Sequence, residues 1–338
     1  MPLIQQPGPQ GWGLPNEQPK EWFFKEAKTR EVIEKEAPQL MQAFGDPEPH
    51  EDTLMSLKLH QEEAGWDDGI IFPFLFLVGT GMMPKWLAQL IGSCVASGDF
   101  RTTVYRCVVQ TMLLQQPVAL VGDKISGSNN ISFFAPYNYR AGRSIAGING
   151  NSDGSLCMPH IKGKMQYGHL TCNASGLTSD AYPEPQDKRL YKQWGANDSL
   201  LNRFRDQAKC YLTESEPVKD GDFAHEAICK RFKPFNICSL WAFKSTNKPL
   251  GKGPDGKPIY LWTRNRRDQW AHNMSVVGCA VYKGRHYILI ENSWGNFHDG
   301  NRIFAIELSE FAAWLRDAEC QTVGNIDLED NPSPYPET

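Results

Sequence analysis

The sequence has no large excess of charge of either sign. Thirty-five Lys and Arg stand against 39 Asp and Glu, a net charge of −4 over 338 residues. That balance lacks the basic footprint of a nucleic-acid binder or of a protein drawn to anionic membranes. Long apolar runs are missing too. Gly69 to Gly98 carries one charge, Lys85, yet its longest apolar run, Ile70 to Val78, is broken by Pro73 and is too short to span a bilayer. It reads as a buried strand leading into a buried helix. Met1 to Pro7 has neither the basic nor the apolar region of a secretory signal, so a non-secreted protein made in a reducing cytoplasm is expected. Nine cysteines, an odd number, are then expected as reduced thiols. No internal repeat is present, which excludes solenoids and propellers.

What is present suits a folded globular chain: 41% hydrophobic and 22% charged residues. Residues 1–60 read as an arm and helical extension, closed by a Pro-rich acidic linker at Asp46–Glu51. Residues 61–325 read as the main domain, with a helical lobe mainly over 61–215 and a β-rich lobe mainly over 216–325. Residues 326–338 form an acidic, Pro-rich tail. Helices are predicted from Ser93 to about Gln115, from Asp153–Ser155 towards Tyr167, near 198–211, and over Phe311–Ala318. Residues 117–150 read as loops. Met274–Tyr282 and Arg285–Ile290 read as strands joined by a Lys283-Gly284 turn, and Ile303–Leu308 as another strand.

The chemistry is carried by three short stretches. Gly92-Ser93-Cys94-Val95-Ala96-Ser97 surrounds a cysteine with small residues at the start of a helix, whose positive end favours a thiolate. His272 precedes one predicted strand and Asn292 follows the next, so a hairpin returns Asn292 to the imidazole. Trp294, in Asn292-Ser293-Trp294-Gly295, is placed to cover their hydrogen bond and strengthen it by excluding water. A cysteine nucleophile needs such a base and such an orienting group.

In these stretches the sequence resembles the papain family of cysteine peptidases, in the order Cys94, His272, Asn292. The resemblance implies a two-lobed α+β papain-like fold and a thiol hydrolase cleaving peptide bonds, with peptide or protein as substrate and no cofactor or metal. It departs from the family at Val95, where a tryptophan is usual, and at Ala88, where the oxyanion glutamine is usual. Gln89 stands one residue nearer and is the candidate for that role, with Ser293 and Trp294 in support. A narrower resemblance, to papain-like proteins of tailed bacteriophages, lies in Gly154-Ser155, Tyr167-Gly168, Gln193-Trp194-Gly195 and Trp270-Ala271-His272-Asn273-Met274. It implies as an alternative a virion structural or assembly module, with other virion proteins as partners.

Two rival readings stand beside this one. Cys157-x-x-His160 and His169-x-x-Cys172 have spacings zinc can use, although no knuckle glycines flank them. His225, Cys229, Cys238 and Cys279 read as core residues, and Trp241 and Phe243 as core or cleft wall.

Overall fold

The computed structural model describes residues 89, 91–108, 133–170, 174–177, 188–208, 234–252, 257–294, 303–317 and 320–323, with single positions at 218, 221, 224 and 228. The expected arm, the apolar run at Ile70–Val78 and the acidic tail lie outside them, as do His225 and Cys229.

Helix α1 (Cys94–Val108) begins at the cysteine the sequence singles out. Ser97 N–H donates to Ser93 O at 2.9 Å, so the first turn closes directly on Gly92-Ser93. Helix α1 is buried on several sides, with Val95, Phe100, Arg101, Thr102, Tyr105 and Arg106 all covered. A helix buried all round is wedged between other elements rather than laid on one.

Helix α2 (Ala135–Ile145) falls where loops are expected. Its sequence, APYNYRAGRSI, lacks an aliphatic stripe, and its buried face is built from tyrosines and arginines. Arg140 and Arg143 are satisfied by carbonyls: both donate to Gly195 O, Arg140 also to Ile148 O and Arg143 to Gly154 O. Pro136 in its first turn is the one local start signal. Helix α3 (Cys157–Tyr167) starts after the predicted opening, with Pro159 in its first turn. Then come α4 (Lys188–Gly195), and α5 (Asp198–Arg203) and α6 (Arg205–Ala208), which divide the helix expected near 198–211 at Phe204. Phe134, Tyr137, Leu190, Trp194, Leu201 and Phe204 form the core of this helical lobe.

The other lobe is a five-stranded sheet with order β3–β4–β2–β1–β5, made of β1 (Phe235–Lys252), β2 (Pro258–Tyr282), β3 (Arg285–Glu291), β4 (Ile303–Glu307) and β5 (Cys320–Val323). β2 pairs with β3 near its end and with β4 at Tyr260–Leu261, and β3 pairs with β4. Three strands that pair mutually curl the sheet on itself. Lys283 (φ 51°) and Gly284 (φ 72°) are both left-handed, as a two-residue hairpin turn requires.

Helix α7 (Leu308–Leu315) covers one side of the sheet. Trp241, Phe243, Trp262, Trp270, Phe304 and Trp314 pack there, with Trp262 stacked on Phe304 at 3.4 Å. Burying each such ring is worth roughly 1.5–3 kcal/mol. Trp241 and Phe243 are therefore core. The fold is α+β in two lobes, a helical one and a sheet one.

Candidate active site

Between the lobes lies a small apolar cluster: Cys94 and Val95 of α1, Leu156, Cys157 and Ile161 at and around the start of α3, and Cys238 of β1, with Ala271 of β2 packed against it. Helix α1 is fixed to the sheet by polar contacts. Ser275 Oγ donates to Gly98 O at 2.8 Å, and Thr102 Oγ1 donates to Asn236 Oδ1. Arg101 stands 4.0 Å from Glu291, the residue before Asn292. Gly98 meets both Asn273 and Ser275 of β2, and Thr102 Oγ1 lies 3.4 Å from Ser275 Oγ. Cys94, four residues before Gly98, belongs to the apolar cluster against which Ala271, the neighbour of His272, packs.

His272 and Asn292 meet as expected. Nε2 of His272 is 2.8 Å from Oδ1 of Asn292. The backbone N–H of Trp294 also points at that Oδ1, at 3.4 Å, which marks it as an acceptor. Nε2 therefore carries the proton, and Nδ1 is the basic nitrogen. Trp294 stacks on the imidazole with ring centres 4.3 Å apart, and Trp270 packs edge-on against Trp294. The indole covers the bond as the sequence suggests.

The thiol and the imidazole are not joined. Nδ1 of His272 has no hydrogen-bond partner among the described residues. Asn273 and Ser275 face α1, while His272, one residue out of phase, turns to Trp294. Cys94 and His272 are both buried, 0% and 1% exposed, where a site open to substrate is expected. Burial pushes the His272 pKa down to about 4, against the opposing hydrogen bond to Asn292. In this state the imidazole is neutral at pH 7, whereas a charged partner for a thiolate would need it raised.

Gln89 lies at this site with one amide N–H already engaged. Its Nε2 donates to Ile91 O at 2.7 Å, its Oε1 accepts from Ser293 Oγ at 2.7 Å, and its backbone N–H donates to Ser293 O. It thus ties the loop before Cys94 to the segment holding Asn292 and Trp294.

The thiols differ from expectation. Cys157 and Cys238 form a disulfide across 81 residues, and Cys279 is disulfide-bonded as well. Cys94 is in no disulfide. Disulfide pairing joins residues far apart in the chain, so composition gives no sign of it. The zinc spacing at Cys157 and His160 is used otherwise: Cys157 Sγ is bonded to sulfur, and His160 Nε2 donates to Asp99 Oδ2 at 3.2 Å. Cys172 of the second pair lies outside the described residues.

Asp99 is a buried centre that motif reading misses. Lys164 Nζ is 2.5 Å from its Oδ1, and the carboxylate links α1 to α3. Burial alone would raise its pKa, but Lys164 and His160 hold it well below the usual carboxylate range. Burial lowers Lys164, with Asp99 opposing. Burial also pushes nearby His169 down to about 3. Asp99 and Lys164 are 65 positions apart, with no spacing pattern to show them.

No protein-family model and no curated protein matches this chain. Solved structures similar to it include xylellain, a cysteine protease from Xylella fastidiosa. It is 13% identical, with a TM-score of 0.48 over 95% of this chain and 98% of that one. The proform of Amb a 11, a cysteine protease and ragweed pollen allergen, is 13% identical at a TM-score of 0.42, over 88% and 77% of the two chains. Procathepsin B S9 of Trypanosoma congolense is 11% identical at a TM-score of 0.43, over 85% and 84%.

Proposed function

We propose that this protein is a papain-like thiol hydrolase that cleaves peptide bonds. One observation carries the reading: the His272–Asn292 bond beneath Trp294 uses Nε2 and leaves Nδ1 as the basic nitrogen. Cys94, which is in no disulfide, opens a helix whose dipole favours its anion, in an apolar cluster against which Ala271, the neighbour of His272, packs. In the competent state Sγ of Cys94 comes within hydrogen-bond reach of Nδ1, which takes its proton. The thiolate attacks the peptide carbonyl, and His272 returns the proton to the leaving amine. Water then releases the acyl group from sulfur. Backbone N–H of Cys94 and the side-chain amide of Gln89 are the donors assigned to the oxyanion.

Site-resolved alkylation with iodoacetamide tests the assignment. With the disulfides reduced, Cys94 is expected to react first among the nine cysteines, and His272→Ala to slow it strongly. Equal labelling of wild type and His272→Ala would sink the triad.

A second reading is a structural module on the same fold, in a virion as the phage-type motifs suggest. It draws on the missing thiol–imidazole bond and on the burial of both groups. A Cys94→Ala protein that keeps every measurable function, with no peptidase activity in wild type, would favour it.

A further inference from the structure

The disulfide stands at the seam of the lobes. Cys157 is the first residue of α3, and Cys238 lies in β1. Both share the apolar cluster of Cys94 and Val95, together with Leu156 and Ile161 from the α3 side. On the sheet side the bond reaches the histidine's strand. Asn273, next to His272, donates Nδ2 to Cys238 Sγ at 2.8 Å, and Ser239, next to Cys238, is the register partner of His272. One covalent link therefore holds the first turn of α3 to the strand opposite His272, within the apolar cluster that buries Cys94.

We infer that Cys157–Cys238 is a redox clasp on the site: oxidised, it keeps α3 seated on Cys94, and reduced, it frees that turn and exposes the thiol. The inference rests on the reading of Cys94 as the reactive thiol. The reductant is a dithiol. One of its thiolates attacks a sulfur of the pair, forms a mixed disulfide and expels the other cysteine, which takes up a proton. Its second thiol then displaces the remaining cysteine, which is protonated in turn. The protein gains two electrons and two protons, and the reductant leaves as its own disulfide. Cys157 and Cys238 are 2% and 0% exposed, so attack waits on a local opening. The clasp is thus set before turnover and does not cycle within it.

The test follows the full-length protein during exposure to dithiothreitol. Samples are desalted and pulsed with iodoacetamide at pH 7. Mass spectrometry then reads the Cys157–Cys238 linked peptide and the alkylation of Cys94 on the same molecules. Alkylation is expected to rise at least about tenfold, in step with loss of the linked peptide. Cys157→Ala/Cys238→Ala is expected to label at the fast rate without reductant and to ignore it, which separates this bond from the one at Cys279. Fast labelling with the link intact, or slow labelling after it is lost, overturns the clasp. Should the double variant fail to fold, the wild-type time course decides alone. His272→Ala keeps the two ideas apart. Labelling released by reduction but indifferent to that change leaves the clasp and refutes the triad. Labelling that depends on His272 but not on the link does the reverse.

Discussion

Gly98 of α1 lies directly against Asn273 of β2, so that a Cβ at Gly98 would overlap the Asn273 side-chain oxygen. Asn273 cannot easily yield, because its amide is held on Cys238 Sγ and its backbone is in the ladder with β1. This approach sets the height of the helix that opens at Cys94 beside the strand that carries His272.

Gly98→Ala is therefore expected to cost about 1–3 kcal/mol by overpacking, despite the better helix propensity of alanine. Urea unfolding measures it. Asn273→Ala made in the same chain should recover part of the loss, since the two residues are in contact. Simple additivity would show that the overlap is relieved elsewhere.

Stability is expected to fall between pH 7 and pH 5. His272 and His169 are buried neutral, with pKa values lowered to about 4 and about 3 from 6.5. In that window the unfolded chain binds protons at these positions and the folded chain does not, so stability rises with pH. Each histidine contributes about 2 kcal/mol between the two pH values. Urea midpoints at pH 7 and pH 5 check this, and His272→Gln should remove roughly half of the difference. A flat profile would mean that neither histidine is buried neutral in the folded protein.

Asp99 and Lys164 are expected to behave as a unit. Asp99→Asn strands the Lys164 ammonium in the interior and should cost about 3–5 kcal/mol. Adding Lys164→Met should return a large part, because the uncompensated charge is then gone. Thermal or urea unfolding of the two single variants and the double one reads the coupling. Equal losses from Asp99→Asn with and without Lys164→Met would place the role of Asp99 with His160 instead.

The start of α1 at Cys94, the hairpin turn at Lys283-Gly284 and the meeting of His272 with Asn292 were legible because each is local in sequence. Small residues before a helix, two left-handed turn residues, and a polar residue at each end of a hairpin announce themselves. Helix α2 was hidden because its buried face is made of Tyr137, Arg140 and Arg143, whose polar ends are satisfied by distant carbonyls rather than by an aliphatic stripe. The Cys157–Cys238 bond and the Asp99–Lys164 pair were hidden because both are made by packing across the chain. The relation of Cys94 to His272 was legible only in part. The hairpin brings Asn292 to the ring, but the phase of β2 turns His272 towards Trp294 while Asn273 meets α1.

Peptide cleavage by the reduced protein is the most direct measurement. A mixed peptide library is incubated with wild type, Cys94→Ala and His272→Ala, each shown folded by circular dichroism, and new termini are read by mass spectrometry. Wild type is expected to cut, Cys94→Ala not to cut, and His272→Ala to cut at least about a thousandfold more slowly. Cleavage that survives Cys94→Ala, or its absence in wild type whose Cys94 is freely alkylated, would contradict a thiol hydrolase built on Cys94, His272 and Asn292.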